Sequence, residues 1–202
     1  MKTLKKQLMV LSSVLVAVVA IGVGATEFVL HMVAQKAMYE RDLAYMAEQT
    51  ASIVTKEIDG KLSTLHAIAA RPEISDPTVS TDKKVEVLAS QVELAGSLRL
   101  NYIDGNGTVY SSDKTSFDAS DRPYFIEGMK GNAYVADPLF TKLRGELVVI
   151  YAVPIKHNGQ VVAVLSGTFD GNELGTIVNG NNFGKTGRAF MVNAEGTMIA
   201  HD

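Results

Sequence analysis

The stretch from Leu8 to Ala25 constrains this chain more than any other feature. Its eighteen residues carry no charge, and Ser12, Ser13, Gly22 and Gly24 are its only members that are not strongly apolar. As a helix it spans about 27 Å, against a hydrocarbon core about 30 Å thick. Phe28, Val29, Leu30, Met32 and Val33 carry the apolar character past Glu27, so a tilted span over 8–33 is expected. A helix resting on a soluble core would show a polar face, and this one has none. Lys2, Lys5 and Lys6 precede it and place residues 1–7 in the cytoplasm. A cleaved signal peptide shares the charged start and the small residues near Gly22–Ala25. Its apolar core is shorter, however, and its cleavage site precedes a polar mature start. Here the run passes directly into a helical pattern. The expectation is an uncleaved anchor in the plasma (inner) membrane, with the rest of the chain outside the cytoplasm.

Residues 34–70 contain no proline and a single glycine, Gly60. Val54, Ile58, Leu62, Leu65 and Ile68 recur every three or four positions, one face of a helix. Arg71-Pro72 ends it, because the residue before proline avoids helical geometry. The spacing predicts a stalk helix over 34–70, about 55 Å long, with its upper half packed on a domain; a break at Asp59-Gly60 is the competing reading. EISDPTVST (73–81) reads as a polar turn. A second helix follows, capped by Ser80 or Thr81 with Asp82 in its first turn and Val85, Leu88, Val92 and Ala95 on its apolar face.

After Gly96 the period changes to two. Leu98–Ile103 and Thr108–Ser112 flank Asp104-Gly105-Asn106-Gly107, the chemistry of a tight hairpin turn. A short helix is expected over 122–129, then strands at 133–137, 147–155 and 160–169, the last two joined by His157-Asn158-Gly159. Residues 172–183 form another short helix. The order gives an α+β fold: an N-terminal transmembrane helix, a long stalk helix, and one antiparallel sheet module with flanking helices. The end of the chain, MVNAEGTMIAHD, echoes YIDGNGTVYSSD and reads as the start of a second, similar module. The expected division is 71–175 for the first module and 176–202 for the start of the second.

Composition removes several function classes. With no cysteine there is no disulfide, zinc tetrad or thiol nucleophile. A net charge of −3 and the lack of a basic stripe argue against nucleic acid. His31, His66, His157 and His201 show no metal-ligand spacing, DGNG lacks the series of a calcium loop, and no nucleophile or phosphate-loop motif is present. The expectation is a protein that is not an enzyme and holds no metal or cofactor.

Two charged residues suggest a small-molecule site. Arg122 lies in a turn-to-helix segment beside Phe117, Tyr124 and Phe125, and its guanidinium offers a planar fork to a carboxylate. Asp170 closes the last strand of the sheet and suits an ammonium. With aromatic rings that exclude water and attract cations, the two would hold a zwitterion. The competing reading is that Arg122 and Asp170 pair with one another or face solvent.

The order of elements, DGNGTVYSS, the segment Asp121-Arg122-Pro123-Tyr124-Phe125, the Asp137-Pro138 strand end and GRAFMVNAEGTMIAHD together resemble double-Cache sensor domains. These occur in methyl-accepting chemotaxis proteins, sensor histidine kinases and membrane diguanylate cyclases. The resemblance covers 34–202 and implies two PAS-like modules on one long helix, with the ligand in the membrane-distal module. In the amino-acid-binding members, Arg122 and Asp170 match the pattern, while Phe117, Tyr124 and Phe125 stand where Tyr, Trp and Tyr are expected. Leu139 replaces another aromatic near Pro138. The charged pair is kept and hydroxyl partners are lost, so an amino acid, another carboxylate or an amine remain candidate ligands. A chemoreceptor sensor is the function implied, in a homodimer with stalk helices side by side. The same sensor on a kinase or cyclase, and an anchored binding protein without signalling, are the alternatives.

Overall fold

The computed structural model describes residues 2–141, 144–180 and 187–200. The chain divides into two compact units, Met1–Glu48 and Gln49–Asp202. The first unit is helical from Lys2 onward. Leu8, Leu15, Ile21 and Phe28 are all exposed in it, and none of its most apolar window is buried. Such a surface is stable against lipid and not against water. The helix, α1 (Lys2–Ala69), is long and apolar enough to cross a membrane.

In the second unit α1 supplies Val54, Leu65, Ile68 and Ala69 to the main core, with Ile58 and Leu62 packed against them. Gly60 does not interrupt it. The helix ends at Ala69, just ahead of Arg71-Pro72. The expected polar turn contains a single helical turn, α2 (Pro72–Ser75). Proline at the first helical position forfeits no hydrogen bond, and Ile74, fully buried, draws the turn onto the core.

Helix α3 (Thr81–Gln91) is capped by Ser80, whose Oγ accepts from the Lys83 amide at 3.4 Å. Its buried face differs from the expected one. Lys84 and Leu88 are buried, with Val87, Val92 and Ala95 packed against the core, whereas Val85 is only half-buried. The Lys84 ammonium donates to the carbonyls of Ile74 (2.7 Å) and Asp76 (2.6 Å), and it lies 5.2 Å from the Tyr102 ring centroid. These partners replace water, so a cation occupies a position that periodicity would reserve for an apolar residue.

The sheet consists of β1 (Arg99–Ile103), β2 (Thr108–Ser111), β3 (Ser116–Asp118), β4 (Tyr134–Val135), β5 (Leu139–Phe140), β6 (Leu147–His157) and β7 (Gln160–Asp170). The strand order is β3-β2-β1-β7-β6-β4, all antiparallel, and β5 also pairs with β6. Strands β3 and β5 are additions to the expected set. They are three and two residues long, too short for alternation to register. In the β1–β2 turn Asp104 Oδ1 accepts from the amides of Asn106 (2.9 Å) and Thr108 (3.0 Å). Gly107 sits there at φ +92°, and a Cβ on it would fall 2.6 Å from Ser120 Cα. The β6–β7 turn places Asn158 and Gly159 at φ 51° and 82°, as a two-residue hairpin loop requires.

One sheet face, including Leu100, Tyr102, Val149, Tyr151, Leu165 and Phe169, forms the main core with α1, α2, α3 and helix α5 (Asn172–Asn179). The other face carries helix α4 (Pro123–Met129), whose Tyr124 and Phe125 pack with Ile103, Val109, Ala152 and Val164.

Strands β8 (Met191–Val192) and β9 (Met198–Ala200) pair as a separate two-stranded sheet. Their turn repeats the first one atom for atom. Asn193 Oδ1 accepts from Glu195 and Thr197 amides, as Asp104 Oδ1 does from Asn106 and Thr108. The expected helix over 172–183 is seen as far as Asn179; residues 181–186 and 201–202, where further expectations fell, lie outside the described residues.

Candidate functional site

Strand alternation decides which side chains can meet. The register puts Arg99, Asn101 and Ile103 of β1, Val109 and Ser111 of β2, Val164, Ser166, Thr168 and Asp170 of β7, and Val148, Ile150 and Ala152 of β6 on the α4 face. This face has two characters. Where α4 lies it is apolar. Farther along the same strands it turns polar, and Asn101, Ser111, Ser166 and Thr168 are all buried. Asn101 Nδ2 donates to Ser166 Oγ at 3.1 Å.

Helix α4 is seated closely on the apolar half. A Cβ at Gly128 would come within 2.6 and 2.8 Å of the two Val164 methyls. The Tyr124 and Phe125 rings are buried in the same cluster, and burial pushes the Tyr124 hydroxyl pKa upward. Arg122 is the N-cap residue of this helix, ahead of Pro123 at N1. Its side chain is 45% exposed, and its Nε lies 3.3 Å from Asp121 Oδ1. Asp170 is exposed at the end of β7, where its Oδ1 accepts from the backbone amide (2.9 Å) and the side-chain amide (2.8 Å) of Asn172. Arg122 and Asp170 therefore carry separate local partners in this structure.

The remaining expected residues are distributed over the same face. Phe117 pairs with Val109 on β3, and Leu139 pairs with Val148, which in turn pairs with Asp170. Both side chains are exposed. In the ladder, Leu139 and Asp170 share one row, and Phe117 lies in another beyond Val109.

Two ion pairs border the polar half. Arg144 Nη2 meets Asp113 Oδ2 at 2.6 Å, joining the β2–β3 turn to the β5–β6 connection. Arg99 Nη2 meets Glu146 Oε2 at 2.9 Å. Burial raises the Asp113 pKa, but hydrogen bonds from Thr115, the polarity of the nearby Ser111 hydroxyl and the Arg144 charge outweigh it and hold the carboxyl below its ordinary range.

No motif marks the buried polar residues Asn101, Ser111, Ser166 and Thr168. Their signal was present in the sequence: Asn101 interrupts RLNYI, and Ser166 and Thr168 alternate at the far end of QVVAVLSGTFD.

Asp170 also touches the helix that leads away from the site. Its Oδ1 accepts from the amide of Asn172, the first residue of α5, whose first turn carries Glu173; Glu173 Oε2 lies 2.7 Å from Lys61 Nζ of α1. Lys61 also meets Glu57 (3.4 Å) and stands 4.3 Å from the Phe169 ring centroid. Phe169 packs edge-on against Tyr151, and burial, with Glu173 and Glu57 nearby, pushes the Tyr151 hydroxyl to about 12.

Comparison with known proteins agrees with this architecture. The chain is 25% identical to the methyl-accepting chemotaxis protein PctB of Pseudomonas aeruginosa over 165 residues, covering 77% of this chain and 25% of that protein. It is 26% identical over 168 residues to the methyl-accepting chemotaxis protein McpG of Pseudomonas putida, covering 80% and 26%. The chain thus spans about a quarter of the length of these relatives. Among solved structures it resembles the ligand-binding domain of Pseudomonas fluorescens chemoreceptor CtaA in complex with L-alanine. The TM-score is 0.66 at 19% identity, covering 79% of this chain and 70% of that one. It also resembles the sensory domain of Campylobacter jejuni chemoreceptor Tlp3 with isoleucine bound. There the TM-score is 0.65 at 16% identity, covering 82% and 73%. The model of the Cache domain matches residues 32–202, and with that match over most of its length this chain belongs to the Cache domain family.

Proposed function

We propose that this chain is the sensor region of a transmembrane chemoreceptor, which binds a small amino acid, or a related carboxylate or amine, and passes the event through α1 to chemotaxis machinery. The observation that carries this reading is the α4 face of the sheet. It presents buried polar groups in line with Asp170, and α4, with Arg122 at its N-cap, packs on the adjoining apolar half. Arg122 is the partner for a ligand carboxylate and Asp170 for its ammonium. Tyr124 and Phe125 seat the helix that presents Arg122, while Phe117 and Leu139 are apolar residues at the rim. In support, the ligand-binding domains of CtaA and Tlp3 were solved with L-serine, L-leucine, L-alanine, L-valine and isoleucine. Residues 8–33 span the plasma membrane, 34–70 form the stalk and 71–175 the membrane-distal module outside the cytoplasm. Two copies stand side by side as a homodimer.

Signalling needs a ligand that binds two arrangements of the module unequally. The contacts from Asp170 to Asn172 at the start of α5, and from Glu173 to Lys61, supply a short mechanical path to α1. A ligand ammonium drawing on the Asp170 carboxylate competes with the Asn172 amides for it, and so acts on the first turn of α5.

A thermal-shift screen of the full chain in detergent against amino acids, amines and organic acids tests this. A stabilising ligand is expected, and Arg122→Ala and Asp170→Asn should each remove most of its shift. A shift unchanged in both variants places the ligand elsewhere.

A further inference from the structure

We propose that the polar floor of the sheet selects, among the amino acids and amines of the proposed function on which this inference rests, those whose side chain ends in a neutral hydrogen-bonding group. The floor is one row across three strands: Ser111 pairs with Asn101, and Asn101 with Ser166. Thr168 stands one step nearer to Asp170 on the same face.

The Ser111 hydroxyl is the decisive atom. The residue is 1% exposed, and Oγ has no partner in hydrogen-bond geometry. Oγ lies near enough to Asp113 to help keep that carboxylate ionised, yet outside hydrogen-bond geometry to it, while Asp113 accepts from Thr115 at Oδ1 and from Arg144 at Oδ2. A buried hydroxyl without a partner is costly and rare. A ligand atom with a donor and an acceptor would complete it.

The floor offers both kinds of group. Asn101 spends one amide hydrogen on Ser166, leaving its other hydrogen and its carbonyl, while serine and threonine hydroxyls donate or accept. None of these residues is charged, and the nearby charges are already paired, Arg99 with Glu146 and Arg144 with Asp113. An ionised tail would thus be desolvated without a counter-charge, which is unfavourable.

Spacing sets the reach. Ser166 and Asp170 are four residues apart on one strand face, or about 13 Å. Two hydrogen bonds of about 3 Å each leave roughly 7 Å between the ligand ammonium and its distal polar atom. That is a chain of about five bonds. A shorter tail would reach Thr168, about 7 Å from Asp170 along the strand, without reaching the row behind it.

The test is binding of matched ligand pairs to the full chain in nanodiscs by calorimetry: L-glutamine against L-methionine, and L-asparagine against L-leucine. The polar member should bind at least roughly tenfold tighter, because a site built on hydrogen bonds rejects the analogue that cannot make them. Ser111→Ala and Ser166→Ala should bring the glutamine-to-methionine ratio toward one by weakening glutamine alone. Wild-type protein that binds the apolar member equally or better overturns the selectivity and leaves the sensor reading standing. A ratio unmoved in both variants shows a floor that serves only the fold, and also overturns it. Failure of all four ligands, together with failure of every amino acid, amine and organic acid in the wider screen, overturns the sensor reading itself.

Discussion

The seating of α4 on the sheet is open to a direct energetic test through Gly128→Ala. The new methyl would lie 2.6 and 2.8 Å from the Val164 methyls, where carbon–carbon contacts settle at about 3.5–4.0 Å. About 1 Å of overlap must be relieved by lifting the helix or turning Val164. Overpacking of this kind costs about 1–3 kcal/mol. Replacing glycine in a helix returns up to about 1 kcal/mol, less here because Gly128 is one residue from the end of α4. A net loss of about 1–2 kcal/mol is expected. Near-UV circular dichroism of the full chain in detergent reports it: there is no tryptophan, and Tyr102, Tyr124 and Tyr151 are all buried in this unit. Val164→Ala alone should cost at least about 1.5 kcal/mol from two buried methyl groups. Together the substitutions should lose less than their sum, by about 1 kcal/mol or more, since the methyl introduced at position 128 enters the space that Val164 vacates. Additivity within about 0.3 kcal/mol would refute the close contact and with it the argument for how Arg122 is held.

Other consequences can be checked on the same preparation. Lys84→Met should destabilise by about 1–3 kcal/mol by leaving the Ile74 and Asp76 carbonyls without their donor. Because burial lowers the Lys84 pKa from 10.5, the unfolded chain holds this proton more tightly, and wild-type stability gains as pH rises from the lowered value toward 10.5. The gap between wild type and Lys84→Met should therefore widen in alkaline urea melts; a gap that narrows contradicts the burial. Asp113 behaves oppositely at the acid end. Its folded pKa lies below 3.8, so its contribution is complete above that value and is lost as pH falls through the folded value. Arg144→Ala should flatten that acid limb, and an unchanged limb would dissociate the pair from stability. Ser80→Ala should cost about 1 kcal/mol by removing the α3 cap, measured as a lower urea midpoint.

Much of the second unit is legible from patterns with a period. The three-and-four spacing from Val54 to Ile68 marks the buried stripe of α1, and DGNG and HNG mark the two tight turns, because helix faces and positive φ leave traces in consecutive residues. Features set by distant partners are not legible this way. Lys84 is buried because two carbonyls and a ring happen to face it, and no helical period foretells that. Strand β5 exists because β6 is long enough to pair with β4 and β5 in succession. The same holds for the site. Arg122 and Asp170 stand out as charges at element ends, but the row Ser111–Asn101–Ser166 becomes visible only once the register aligns three strands. Tyr124 and Phe125 stand out in the sequence as aromatic residues beside Arg122, but their burial between α4 and the sheet depends on Ile103, Val109 and Val164 from other elements.

The central claim is a folded sensor held outside the cytoplasm by the helix that begins this chain. Since the chain has no cysteine, single cysteines are clean probes of sidedness. Lys156→Cys, at an exposed position on β6, should react with a membrane-impermeant maleimide in intact spheroplasts, and Lys6→Cys only after permeabilisation. Labelling of Lys156→Cys that requires permeabilisation would contradict the account.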